Sequence, residues 1–149
     1  MTEILISPLI SFAVQIFFGK RLPRSGDWVS IFAIFLSLVL SILHFMDVFS
    51  AFDPSFKLTF SWLWLDIPEF RLEFGYHIDN VSSLMLVVVT GVSFLIHLYS
   101  VGYMRGDSRY SRYFAYLSFF SFSMIGLVLV DNLFFLYIFW ELVGLSSYL

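Results

Sequence analysis

Long apolar runs decide what this chain can become. Trp28 to Phe49, Asn80 to Tyr103 and Arg112 to Val130 each hold about twenty residues with few charges. That is the length a helix needs to cross a ~30 Å hydrocarbon layer at ~1.5 Å of rise per residue. Two shorter runs flank them, Ile4 to Phe18 at the start and Asn132 onward at the end. Together they predict an all-α polytopic membrane protein with about five transmembrane helices. The composition agrees: 60% of the 149 residues are apolar, 13% are charged and 20 are Phe. A soluble core of this size needs far less apolar side chain.

The same composition removes several function classes. A net charge of −3 gives no footing for nucleic acid. The absence of cysteine excludes disulfides, thiolate zinc sites and Cys-ligated iron–sulfur clusters within these residues. No glycine-rich nucleotide motif occurs, so no cofactor is expected in this chain. Glu3 stands where a signal peptide would be basic, and Lys20, Arg21 and Arg24 follow the first apolar stretch instead. The first helix should therefore stay in the membrane with its N-terminus outside.

The loops set orientation. Lys20, Arg21 and Arg24 in the first loop, and Arg105, Arg109 and Arg112 around the third, place both on the cytoplasmic side. The second loop, about 50–79, carries Asp53, Asp66, Glu69, Glu73 and Asp79 against Lys57 and Arg71, and should face outward. Within it Phe70-Arg71-Leu72-Glu73-Phe74 alternates apolar and charged residues, and Ser61-Trp62-Leu63-Trp64-Leu65 precedes a turn at Asp66 to Glu69. This predicts an extracytoplasmic β-hairpin with Trp62 and Trp64 at headgroup level. The arginines of the third loop serve topology; holding a lipid phosphate is their other reading. Asp79 is placed to cap helix three and Asp131 to form an Asx turn before helix five.

Glu141 is the residue most in need of an explanation. It lies in the apolar run that follows Asp131-Asn132, roughly 15 Å in at ~1.5 Å per residue. A carboxylate at that depth costs on the order of 2.5–3.5 kcal/mol, and intramembrane ionisable groups mark ion or proton pathways. Tyr137, Glu141, Gly144 and Tyr148 fall at i, i+4, i+7 and i+11 on one helix face, suited to a neighbouring helix or a hydrated cavity. Burial there favours the protonated form and a nearby cation favours the carboxylate, so a movable partner would make the site a proton switch. The alternative is a glutamate that pins two helices through a hydrogen bond. His97, within helix three, is a second candidate: a proton relay, or a histidine bonded to a backbone carbonyl. His44 and His77 have no partner at metal-ligand spacing, and no metal site is expected.

These residues carry a family resemblance. Phe139-Trp140-Glu141-Leu142-Val143-Gly144-Leu145-Ser146-Ser147-Tyr148-Leu149 resembles the Trp-Glu helix of the largest antiporter-like subunit of NADH:quinone oxidoreductase, respiratory complex I. This is subunit L in bacteria and subunit 5 in mitochondria. Val89 to Gly106, Ser111 to Tyr116 and the Asp79 position resemble the same subunit. The resemblance implies a proton-translocating subunit of the membrane arm in the cell (inner) membrane. It implies that Glu141 pairs with a lysine on a helix beyond Leu149. It also implies that NADH, flavin, iron–sulfur clusters and quinone belong to partner subunits, with other membrane-arm subunits and the lipid bilayer as this chain's partners. Multisubunit cation/proton antiporters share the ancestry, but their helix departs after Trp-Glu, near Val143-Gly144. On this reading residues 1–111 form an N-terminal region and 112–149 begin the translocating core. The chain stops inside helix five, as the N-terminal part of a longer polypeptide or a truncated product would.

Overall fold

The structure, a computed structural model, describes residues 2–50, 57–67 and 70–149, apart from the side chains of Lys20 and of residues 64–73. Helix α1 spans Thr2–Phe18, with Pro8 accommodated inside it. Two short 3-10 turns, Gly19–Arg21 and Pro23–Gly26, lead into α2, Asp27–Ser50. Strands β1 (Leu58–Ile67) and β2 (Phe70–Ile78) follow, then α3 (Asn80–Tyr103), α4 (Tyr110–Leu129) and α5 (Leu133–Tyr148). Helices α2, α3 and α4 are long and apolar enough to cross a membrane, whereas α1 and α5 are shorter apolar helices. The expected five-helix polytopic architecture with its hairpin is present. Three of the five helices reach spanning length on their own; α1 has 17 residues and α5 has 16.

The hairpin is longer than the alternation in its second strand suggested. Its antiparallel register runs from Leu58↔Ile78 to Ile67↔Phe70, with a bulge between Leu63 and Leu65. Tyr76 pairs with Val130, which ties the hairpin to the junction of α4 and α5, and Phe74 meets Phe135 of α5 edge-on at 4.8 Å. Gly75 makes the approach possible. A Cβ there would lie 2.7 Å from the Phe60 carbonyl oxygen and 2.8 Å from a carboxylate oxygen of Asp131. Trp62 is exposed; Trp64 lies outside the described side chains.

Caps and turns set the helix boundaries. Asp79 caps α3 as anticipated, its carboxylate accepting from the Ser82 N–H at 2.7 Å. Asn132 caps α5, its Oδ1 accepting from the Phe134 N–H at 2.8 Å, while Asp131, expected to form an Asx turn before that helix, stands beside the hairpin. Helix α4 starts at Tyr110, two residues before the expected start at Arg112. The cause is Asp107, whose carboxylate accepts from the Arg109 N–H and whose carbonyl accepts from the Tyr110 N–H, closing the loop two residues early.

The helix contacts are unusual for their polarity. Helix α1 packs on α2 and α4, α2 on α3, α3 on α4, and α4 on α5. An apolar cluster of Ile4, Ile34, Ile78, Leu86, Ile125 and Leu129 fills the hairpin end. Elsewhere the buried positions are largely serine, and large apolar side chains such as Phe17, Phe32, Phe49 and Leu95 point outward. In lipid that arrangement is sensible. Apolar side chains gain nothing by leaving hydrocarbon, so helices associate through small residues and hydrogen bonds across their interfaces. Ser7 bonds Ser37 at 2.6 Å, Ser11 bonds Ser30 at 3.1 Å and Ser118 at 3.3 Å, and Gln15 donates to Ser30 at 2.9 Å. Ser111 closes the series by donating to Gln15 Oε1 at 3.3 Å. This seam joins α1, α2 and α4 along one face of α1.

Candidate functional site

Glu141 sits mid-helix on α5, and its position follows from which residues anchor that helix. Phe135 and Phe139 are buried. The Phe139 ring packs edge-on against Phe122 of α4 at 5.7 Å, and over Gly126, where a Cβ would come within 2.2 Å of a ring carbon. With that face fixed on α4, the opposite face holds Tyr137, Glu141, Gly144 and Tyr148, all exposed on this chain. The stripe anticipated from spacing is therefore one continuous surface. Tyr137 and Glu141 are one turn apart on this face, at the spacing that makes side chains neighbours. Nothing lies within 4 Å of where a Gly144 Cβ would project, so the middle of the stripe is open for close approach.

His97 occupies the opposite kind of environment. It is fully buried on α3, against Phe114 of α4 with ring centroids 6.2 Å apart. Its Nδ1 lies 2.7 Å from the Ser93 carbonyl oxygen. A carbonyl only accepts, so Nδ1 carries a proton and donates. In the neutral ring Nε2 is then a free lone pair, and it is buried without a hydrogen-bond partner among the described residues. The backbone-bonded reading describes Nδ1, while Nε2 is a buried acceptor that no described residue meets.

The two candidates are not brought together: His97 packs on α4 from α3, and the Glu141 face of α5 turns away from α4. His44 is half-buried on α2 and His77 lies on β2. Among the described residues no group of three His, Asp or Glu side chains could hold a metal ion.

A third charged site escaped the sequence reading. Asp27 is 1% exposed at the start of α2. Its carboxylate accepts from the Trp28 N–H at 2.7 Å, the Tyr110 hydroxyl at 2.9 Å and Arg24 Nη2 at 3.1 Å. The turn it holds is strained: Arg24 and Ser25 both have φ of 56°, and Gly26 follows at 77°. Left-handed conformations cost non-glycine residues roughly 1–2 kcal/mol each. The pairing of Asp27 with Tyr110 locks this turn to the start of α4. The signal was available, since an acid immediately follows a Pro-Arg-Ser-Gly turn at a helix start.

These features define a multi-pass helical membrane protein with ionisable groups set within its spanning helices. A family model described as NADH-ubiquinone oxidoreductase (complex I), chain 5 N-terminus, matches residues 64–114. The chain is 46% identical over 130 residues to chloroplastic NAD(P)H-quinone oxidoreductase subunit 5 of Chaetosphaeridium globosum, covering 87% of this chain and 19% of that protein. It is 39% identical over 146 residues to NADH-quinone oxidoreductase subunit L of Escherichia coli, covering 97% and 24% respectively. By sequence the chain is similar to these quinone oxidoreductase subunits, as its motifs suggested. It spans about a fifth to a quarter of their length. Its fold resembles a chain of the membrane-bound sulfane sulfur reductase, an archaeal respiratory membrane complex, with a TM-score of 0.79 at 18% identity, covering 97% of this chain and 28% of that one.

Proposed function

We propose that this chain belongs to a proton-translocating subunit in the membrane arm of an NADH:quinone oxidoreductase, and that Glu141 binds and releases the proton. The observation that carries the reading is the open stripe around Glu141, on a chain similar to NADH- and NAD(P)H-quinone oxidoreductase subunits. The carboxylate is exposed on this chain, so that it can meet a cation on another helix. Approach of that cation stabilises the carboxylate and expels the proton; withdrawal favours reprotonation. A change in proton affinity of one pKa unit corresponds to about 1.36 kcal/mol, so modest motion suffices. His97 Nε2 supplies a second place where a proton can rest on its way through the bundle. The subunit performs no redox chemistry itself. NADH, flavin, iron–sulfur clusters and quinone are bound by partner subunits, and the other membrane-arm subunits are its neighbours. The N-terminus lies outside an inner (cell) membrane, the basic loops lie inside, and the translocating part begins at α4.

The test is Glu141→Gln in the assembled complex, reconstituted in vesicles. Proton pumping per NADH oxidised falls while the complex assembles. Unchanged stoichiometry removes Glu141 from the pathway, and reduced assembly with normal turnover assigns it to scaffolding. Co-purification separates the rival reading, a cation/proton antiporter subunit, which brings only membrane subunits and no flavin.

A further inference from the structure

The arginine-bearing end of the bundle holds a cleft of about 530 Å³ between α4 and α5. Arg109 and Arg112 stand at its mouth, and Tyr116, Leu117 and Phe120 continue down the α4 side, with Ser146 on α5 opposite. The wall from Arg109 to Phe120 is roughly 17 Å long at ~1.5 Å per residue. One end is therefore cationic and the rest is aromatic and aliphatic.

The charge at that mouth is unanswered within the described residues. The ion pair present is Arg24 with Asp27; neither Arg109 nor Arg112 pairs with a carboxylate. Asp107, also at the rim, has one carboxylate oxygen occupied by the Arg109 backbone N–H at 2.6 Å. Helix α4 also begins against electrostatic custom. Its N-cap is Arg109, with no side-chain cap, and its first turn contains no acid. Two guanidinium groups thus add to the positive end of the helix dipole, where an anion is favoured instead.

We propose that this cleft is a binding site for an anionic phospholipid. Arg109 and Arg112 hold the headgroup phosphate, and one acyl chain lies along Leu117 and Phe120. A free phosphate would use the mouth and leave the apolar wall idle, and a zwitterionic lipid would leave the net positive charge unanswered. Arginine suits the task because its planar fork bonds phosphate oxygens in pairs.

The test is native mass spectrometry of the protein purified in mild detergent, titrated with phosphatidylglycerol and phosphatidylcholine bearing the same acyl chains. Phosphatidylglycerol is retained preferentially. Arg109→Gln with Arg112→Gln lowers its apparent affinity roughly thirtyfold. Arg21→Gln with Arg105→Gln removes the same charge from exposed positions outside the cleft and leaves affinity within about twofold. Phe120→Ala weakens retention of the lipid, and millimolar inorganic phosphate does not displace it. Equal losses in the two double variants would reduce the effect to diffuse charge and overturn the site. Equal retention of both lipids, or displacement by inorganic phosphate, would overturn it too. If the Arg109/Arg112 double variant loses its helical circular dichroism, Arg112→Gln alone carries the test: about a fivefold loss is expected and no loss refutes.

Discussion

Breaking the bond between Asp27 and Tyr110 should unlock the α1–α2 turn from α4, and its size follows from the geometry. Tyr110→Phe removes a hydroxyl that donates at 2.9 Å to a carboxylate 1% exposed. Hydrogen bonds to charged groups contribute about 1.5–3 kcal/mol, so about 2 kcal/mol is expected. Asp27→Ala loses that bond and the one from the Trp28 N–H. It also loses the Arg24 pair, a small contribution because the Arg24 side chain is 70% exposed. The total is about 3 kcal/mol. The double variant should cost little more than Asp27→Ala alone, a coupling of about 1.5–2 kcal/mol. Unfolding is followed in mixed micelles of mild detergent and dodecyl sulfate, with tryptophan fluorescence as the probe. Additive losses, with coupling below about 0.5 kcal/mol, refute the lock. So does an Arg24→Ala variant that costs as much as Tyr110→Phe, since that would make the exposed ion pair the dominant contact.

Two further variants probe the junctions around the candidate site. Gly126→Ala forces the Phe139 ring off α4 and should destabilise by about 1–3 kcal/mol in the same unfolding assay; a neutral result would mean that α5 is not seated there. Asp79→Ala should cost about 0.5–2 kcal/mol through loss of the α3 cap. The backbone bond from Ser82 holds the Asp79 carboxyl below the ordinary value of 3.8. Its contribution is therefore fully present above that value and is lost as the pH falls through the lower folded one. Asp79→Asn removes that acid dependence, and an unaltered pH profile would refute the assignment.

Much of the scaffold was legible because lipid imposes a simple rule. Helices α2 and α3 follow from apolar runs of spanning length, and the hairpin from the alternation of Phe70 to Phe74. The Glu141 stripe followed from spacing alone, since Phe135 and Phe139 take the side that faces α4. What escaped notice was polar. Ser7, Ser11 and Gln15 recur every four residues on α1, but a search for apolar periodicity passes over them. Asp27 escaped because its partner Tyr110 is 83 residues away. The cap of α5 at Asn132 was not singled out, since neighbouring Asp and Asn both suit such a site. The cleft at Arg109 and Arg112 depends on how α4 and α5 diverge, which no local pattern encodes.

The hydroxyls of α3 behave differently from those of α1. Ser83, Thr90 and Ser100 each donate to a carbonyl four residues back in their own chain, and His97 does likewise through Nδ1. Ser100 also reaches Tyr113 of α4 at 3.0 Å. Helices α1, α2 and α4 are stapled together by hydroxyl and amide side chains, while these four groups of α3 are spent largely on its own backbone. Rotation or axial slippage of α3 would break the Ser100–Tyr113 bond and carry the imidazole of His97 with it.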